Sequence, residues 1–163
     1  MNKISIDINI KEKKWTKEVT NVKSIIREAC KHTLKNTEII GRDTEICISV
    51  LLTNDSEIRK LNGSYRAKDK PTNVLSFPQE ELQAGSYNGV GSEVNLGDII
   101  FALETIKKEA QDQNKTIEHH LTHLTAHGVL HLLGYDHEND ADAEVMEALE
   151  IKILAGMGVE SPY

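Results

Sequence analysis

Cysteine is scarce in this chain: Cys30 and Cys47 are the only two in 163 residues, which argues against a disulfide scaffold. They fall in segments patterned as a helix and a strand and are expected to be reduced, inert core thiols. No run of about 18 apolar residues occurs, so no membrane-spanning helix is expected. The N-terminus alternates isoleucines with polar residues instead of forming the hydrophobic block of a secretory signal, and a cytoplasmic location is expected. An excess of positive charge is also missing: the formal net charge of −7 disfavours coating nucleic acid by bulk electrostatics. Internal repeats, heptads and low-complexity segments are absent. What is present is ordinary globular usage, 39% hydrophobic and 28% charged, in a length that suits one domain spanning residues 1–163.

The charges are segregated along the chain. Residues 59–70 hold Arg59, Lys60, Arg66, Lys68 and Lys70 against Asp69 alone, a local patch of about +4. Residues 138–150 hold six carboxylates and no base, and are expected to form the solvated face of a last helix with Val145, Met146, Leu149 and Ile153 inward. Ile4, Ile6, Ile8 and Ile10 alternate as in a half-buried strand, and the periodicity from Trp15 to Leu34 predicts one amphipathic helix over 16–35. Gly41 marks a turn. A β-branched strand over 45–53 leads into Asn54 and Asp55, where an Asp cap opens a short helix. A strand over 73–77 stops at Pro78, residues 79–93 read as a Gly-rich loop, and 96–101 reads as a strand weakened by Gly97 and Asp98. Helices are predicted over 102–113, 117–133 and 139–155. Early strands and late helices indicate an α+β domain with a small mixed sheet packed with helices.

Six of the seven histidines lie between positions 119 and 137. His127 and His131 are four apart, which on a helix puts both imidazoles on one face about 6 Å apart along the axis, close enough to share an ion. Gly134 can adopt the left-handed conformation that ends a helix, so the chain can turn and bring His137 beside them. Three histidines with an open fourth position are the layout of a catalytic zinc site, where the ion makes hydroxide available near neutral pH. Three imidazoles also suit nickel, copper or iron. His123 continues the ladder of four-residue steps but is roughly 12 Å along the axis from His131, too far to share its ion, and is expected behind the ligands or lining the cleft. His119 and His120 are expected to face solvent.

The spacing of His127, His131, Gly134 and His137 resembles the H-E-x-x-H-x-x-G-x-x-H arrangement of metzincin proteases, except that Gly128 stands where those carry a Glu general base. Peptide hydrolysis by that route is disfavoured. A substrate developing negative charge on phosphorus would instead use the basic segment.

Two blocks carry a wider resemblance. One is Leu61-Asn62 followed by Tyr65-Arg66-Ala67-Lys68-Asp69-Lys70-Pro71-Thr72-Asn73-Val74-Leu75-Ser76-Phe77-Pro78; the other is His127 to His137. With Leu96-Gly97-Asp98-Ile99 and the stretch from Met146 to Tyr163, the chain over roughly 45–163 resembles the YbeY family of bacterial endoribonucleases and rRNA maturation factors. The resemblance implies a metalloprotease-like topology and a single-strand-preferring, metal-dependent endoribonuclease. It would act in small-subunit ribosomal RNA maturation, including the 3′ end, and in ribosome quality control. Carried onto this chain, the ligands of one zinc ion fall on His127, His131 and His137, and a required arginine falls on Arg66. Implied partners are ribosomal RNA, the pre-ribosomal small subunit and ribosomal proteins, with no membrane.

In the mechanism expected, water or hydroxide at the metal or the ribose 2′-OH attacks phosphorus, and Arg66 neutralises the developing charge through its planar fork. Arg59, Lys68 and Lys70 would guide the RNA backbone. Asp136 either caps the turn or orients a ligand imidazole or accepts a proton. Phe77 is either a buried strand residue or a surface on which a base stacks. Two other readings stay open at this level: a metal-dependent hydrolase of peptides or small substrates, and a non-catalytic ribosome-assembly factor with structural zinc.

Overall fold

A computed structural model of the chain describes residues 3–37, 44–79 and 93–163. The alternating isoleucines form β1 (Ile4–Ile10), and β2 (Glu45–Thr53) buries Ile46, Ile48, Val50 and Leu52 on one face. The two strands pair in parallel, which requires a crossover; α1 (Lys14–Glu18) and α2 (Val22–Lys35) supply it. The single helix expected over 16–35 is therefore two. Val19 is extended (φ −135°, ψ 99°), at a β-branched Val19-Thr20 pair with low helix propensity. The periodicity ran through this break because Trp15, Val19 and Val22 are all buried. Trp15 is anchored by its indole N–H, which donates to the Thr53 carbonyl at 2.8 Å.

The next helix, α3 (Asp55–Arg66), is capped by Asn54, not by Asp55: the Asn54 side-chain oxygen accepts from the Glu57 N–H at 2.9 Å. Asp55 instead accepts from the backbone N–H and hydroxyl of Thr105 at 3.1 and 2.8 Å, tying α3 to the helix beyond the sheet. Strand β3 (Val74–Pro78) runs antiparallel to β4 (Glu93–Ala102), which lies parallel to β2, so the sheet is mixed with order β1-β2-β4-β3. Gly97 sits inside β4 at φ +136°, where a Cβ would lie 2.1 Å from the Phe77 carbonyl oxygen, so the residue that weakened the strand prediction is the one the geometry needs. Helices α4 (Leu103–Asp112), α5 (Ile117–Leu132) and α6 (Asp140–Gly156) complete the expected α+β fold.

The main core lies between one face of the sheet and helices α2 and α5, around Trp15, Ile26, Ile46, Leu52, Phe101 and Leu121. Each such fully buried side chain contributes about 1.5–3 kcal/mol. A smaller cluster of Ile58, Leu75, Ile100 and Ala102 forms where α3 meets the opposite face. On its far side α5 is covered by α6 through Ala126, Leu130, Met146 and Ile153. Thus α5 is enclosed by sheet and helix, and its histidines have rigid support. Val145, expected inward, is 58% exposed. Cys30 is buried, with its thiol pushed up to about 12 by burial, and both cysteines are free. Among the described residues no helix is long and apolar enough to cross a membrane. Gly41 and nearly all of the predicted 79–93 loop lie outside the described residues.

Candidate metal centre and cleft

The last turn of α5 builds the centre. Gly134 takes φ +96°, its N–H donates to the His131 carbonyl at 3.0 Å, and the Tyr135 N–H donates to the Leu130 carbonyl at 3.0 Å. This paired closure of a helix C-terminus reverses the chain and returns His137 to α5. The ring centroids of His137 lie 5.6 Å from His127 and 5.1 Å from His131, and one nitrogen of each of the three imidazoles falls within 4.8 Å of the others.

Hydrogen bonds set which nitrogens face inward. The His127 Nδ1 lies 2.6 Å from Glu150 Oε1, and the His131 Nδ1 lies 3.1 Å from the Tyr135 carbonyl oxygen; both partners are acceptors, so both Nδ1 atoms carry the proton. The two Nε2 atoms then face each other at 3.0 Å. Two bare lone pairs at that distance repel, so the gap is suited to a cation, either a proton on one ring or a metal ion held by both. His131 resists protonation: burial, reinforced by the charges of His127 and His137, pushes its pKa down to about 4 against the opposing Tyr135 hydrogen bond. A neutral imidazole with an outward lone pair is a metal ligand, and these residues fit one ion.

Behind His127 lies Glu150 of α6, fully buried. Its carboxylate accepts from His127 at 2.6 Å, from His123 Nε2 at 3.2 Å and from the Tyr163 hydroxyl at 2.6 Å. Burial alone would raise its pKa, but the hydrogen bonds from both histidines, the His127 charge and the tyrosine outweigh it and hold the value at about 2. Burial and the same carboxylate push the Tyr163 hydroxyl upward. Glu150 is thus an anion facing the ring it orients, an arrangement that raises ligand basicity.

The metal centre opens into a cleft of about 740 Å³ whose other wall carries Arg66, Ser76 and Phe77. Arg66 closes α3 and is exposed; Ala67 after it adopts the left-handed conformation (φ 54°) and donates its N–H to the Asn62 carbonyl, stopping the helix there. Gly128 lies on the side of α5 that touches the sheet. A Cβ there would meet two atoms of Ile99 at 3.2 Å and Ser76 Oγ at 3.3 Å, so any side chain at the metzincin position requires Ile99 and Ser76 to give by a few tenths of an ångström.

The sequence model of the family described as Endoribonuclease YbeY matches residues 7–158. The chain belongs to the YbeY family. It is 52% identical over 128 residues to endoribonuclease YbeY of Rhodopseudomonas palustris strain HaA2, covering 77% of this chain and 66%, just under two thirds, of that protein. It is 43% identical over 171 residues to endoribonuclease YbeY of Rhizobium etli, covering 100% of this chain and 95% of the relative. The solution structure of a Thermotoga maritima protein has a similar fold, with a TM-score of 0.53, 26% identity, and coverage of 94% of this chain and 91% of that one.

In this YbeY-family chain the sequence-predicted residues divide into those the fold brings together and those it does not. His127, His131, His137 and Arg66 share the cleft, while Lys68 and Lys70 line an adjoining hollow of about 430 Å³ that also touches Arg66. Arg59 lines neither space; its guanidinium pairs with both oxygens of Asp69 at 2.8 and 3.2 Å. Asp136 lies in the cleft wall, and its carboxylate accepts from the His137 backbone N–H at 2.7 Å, a turn contact. His123 lies behind the centre on Glu150. His120 was expected in solvent but is buried against Glu109 at 2.9 Å. The acidic run was expected to be wholly solvated, but Glu150 at its end is the most buried carboxylate of the site. Its one available signal was its phase: Met146, Glu150 and Ile153 share one stripe of α6 at helical spacing.

Proposed function

We propose that this chain is a metal-dependent endoribonuclease cutting single-stranded RNA. Its substrate is small-subunit ribosomal RNA, including the 3′ end, and it acts in the cytoplasm on the pre-ribosomal small subunit, with ribosomal proteins as further partners and ribosome quality control as a second role. The observation that carries the reading is the single cleft that Arg66 lines together with three convergent imidazoles. The relatives named endoribonuclease YbeY support the reaction class.

His127, His131 and His137 would hold one zinc ion, which when bound supplies Lewis acidity and lowers the pKa of water toward neutrality. Glu150 and the Tyr135 carbonyl keep the protons of His127 and His131 on Nδ1, leaving Nε2 for the ion. Arg66 holds a scissile phosphate by two parallel hydrogen bonds and neutralises the charge that grows on its non-bridging oxygens. Lys68 and Lys70 draw the backbone toward Arg66, and the exposed carboxylates of α6 repel it from the other side. Peptide hydrolysis through a metzincin-type base has no residue to perform it, because position 128 is glycine.

The test is cleavage of a single-stranded rRNA fragment by the wild type, His131→Ala and Arg66→Ala, with metal content measured on each sample. The reading requires that the wild type cuts, that His131→Ala loses metal and activity together, and that Arg66→Ala keeps metal but loses activity. Equal cutting by all three assigns the activity to a contaminant and leaves a metal-stabilised assembly factor.

A further inference from the structure

On the sheet face opposite α5, α3 covers only one end, where Ile58, Leu75, Ile100 and Ala102 cluster. Beside that cluster lies a second hollow, of about 530 Å³. Strand register crosses it as a row: Asp7 of β1 is level with Ser49 of β2, Ser49 with Asp98 of β4, and Asp98 with Phe77 of β3. The hollow thus has polar acceptors at one side, an apolar floor including Leu51 and Ile100, and an aromatic wall. None of its described lining residues is Lys or Arg, so it has no group to hold a phosphate.

Two residues, Tyr65 and Phe77, line both this hollow and the metal cleft. Their rings meet edge to face, with centroids 5.5 Å apart and planes at 64°. Phe77 is partly buried against the small cluster, whereas Tyr65 is 71% exposed. A large ring so exposed contributes little to the core, yet it directly precedes Arg66 at the end of α3. A strand whose phosphate lies at Arg66 has its neighbouring base within reach of this shelf. Duplex bases are already stacked and paired, so only an unpaired base can use such a surface.

We propose that Tyr65 and Phe77 form a stacking shelf for an unpaired nucleobase next to the phosphate held by Arg66, and that Asp98 in the hollow behind accepts a hydrogen bond from that base's amino group. The shelf rests on the endoribonuclease reading of the cleft and adds to it a source of single-strand preference. A carboxylate accepts from the amino group of cytosine, and uracil carries no such donor. Cytidine is therefore favoured over uridine at this position.

The experiment measures binding of single-stranded 2′-O-methyl oligonucleotides by fluorescence anisotropy, beside cleavage of the matching RNAs. Oligonucleotides carry cytidine, uridine or an abasic site at each position in turn. Wild type, Tyr65→Ala, Tyr65→Phe and Asp98→Asn are compared, each checked for unchanged melting and metal content. The shelf predicts that Tyr65→Ala weakens binding about 5- to 150-fold, the effect of losing one base stack, and that Tyr65→Phe restores it. It also predicts that the abasic site at one position abolishes the difference, and that Asp98→Asn removes the cytidine preference. Wild-type-like binding and cutting by Tyr65→Ala overturns the shelf while leaving the endoribonuclease reading intact, as does a Tyr65→Ala loss that persists on every abasic oligonucleotide. Failure of the zinc-loaded wild type to cut any RNA overturns the endoribonuclease reading, and the shelf with it.

Discussion

On the histidine wall of the cleft, His127 and His131 are pinned through Nδ1 to Glu150 and to the Tyr135 carbonyl, whereas on the facing wall Arg66 stands exposed with no ion-pair partner among the described residues. The difference suits what each wall would hold under the proposed function. An ion requires several lone pairs converging within a few tenths of an ångström, so two of the three imidazoles stand on α5, each locked by an outer hydrogen bond, and the exposed His137 joins them from the turn beyond Gly134. A flexible polyanion is met by long cationic side chains that keep their freedom until it arrives, and exposed charges contribute little to folding stability. Substitutions in the histidine wall should therefore move stability and metal binding together, and those in the basic wall should move activity alone.

The sharpest break of this contrast is Gly128→Glu. Its side chain would press on Ile99 and Ser76, and a loss of about 1–3 kcal/mol is expected from overpacking, read as a lower melting temperature with reduced metal content. No peptidase activity should appear. Arg66→Ala is the opposite case: cleavage should fall about 10²–10³-fold, as for loss of one transition-state donor, while melting temperature and metal content stay at wild-type values. If melting or metal content falls as well, the two walls are not independent. Glu150→Gln keeps the shape of the carboxylate but removes its charge, and zinc affinity in a chelator competition should drop about 10–100-fold.

The smallest effect concerns His120, farther along α5. Burial pushes its pKa below the ordinary 6.5, against the raising effect of its Glu109 hydrogen bond. The unfolded chain therefore takes up a proton at this position more readily than the folded one, so folding stability is complete above pH 6.5 and declines as pH falls below it. Urea unfolding of His120→Gln between pH 7 and 5, compared with wild type, should show a flatter decline. An unchanged slope would mean that His120 titrates alike in both states.

The convergence of His127, His131 and His137 was legible because it is local: a four-residue step on one helix and a glycine that reverses the chain within the next turn. Glu150 was not legible, since in sequence it belongs to a run of six carboxylates and only the seating of α6 on α5 separates it from its solvated neighbours. His120 was misplaced for the same reason, because α5 is enclosed on two sides and lacks the single solvent face that periodicity assumes. Asn54 displaced Asp55 as the α3 cap because Asp55 has a distant partner, Thr105.

Short-range geometry, encoded by residue type and spacing, was thus sufficient for the α+β class, most of the elements and the three clustered imidazoles. The tertiary structure alone decided that Arg66 lines one cleft with those imidazoles, that Arg59 is tied to Asp69 outside it, and that a buried carboxylate from the last helix orients His127. Such pairings depend on which faces of separate elements are apolar enough to pack together, and that is settled by burying the core as a whole.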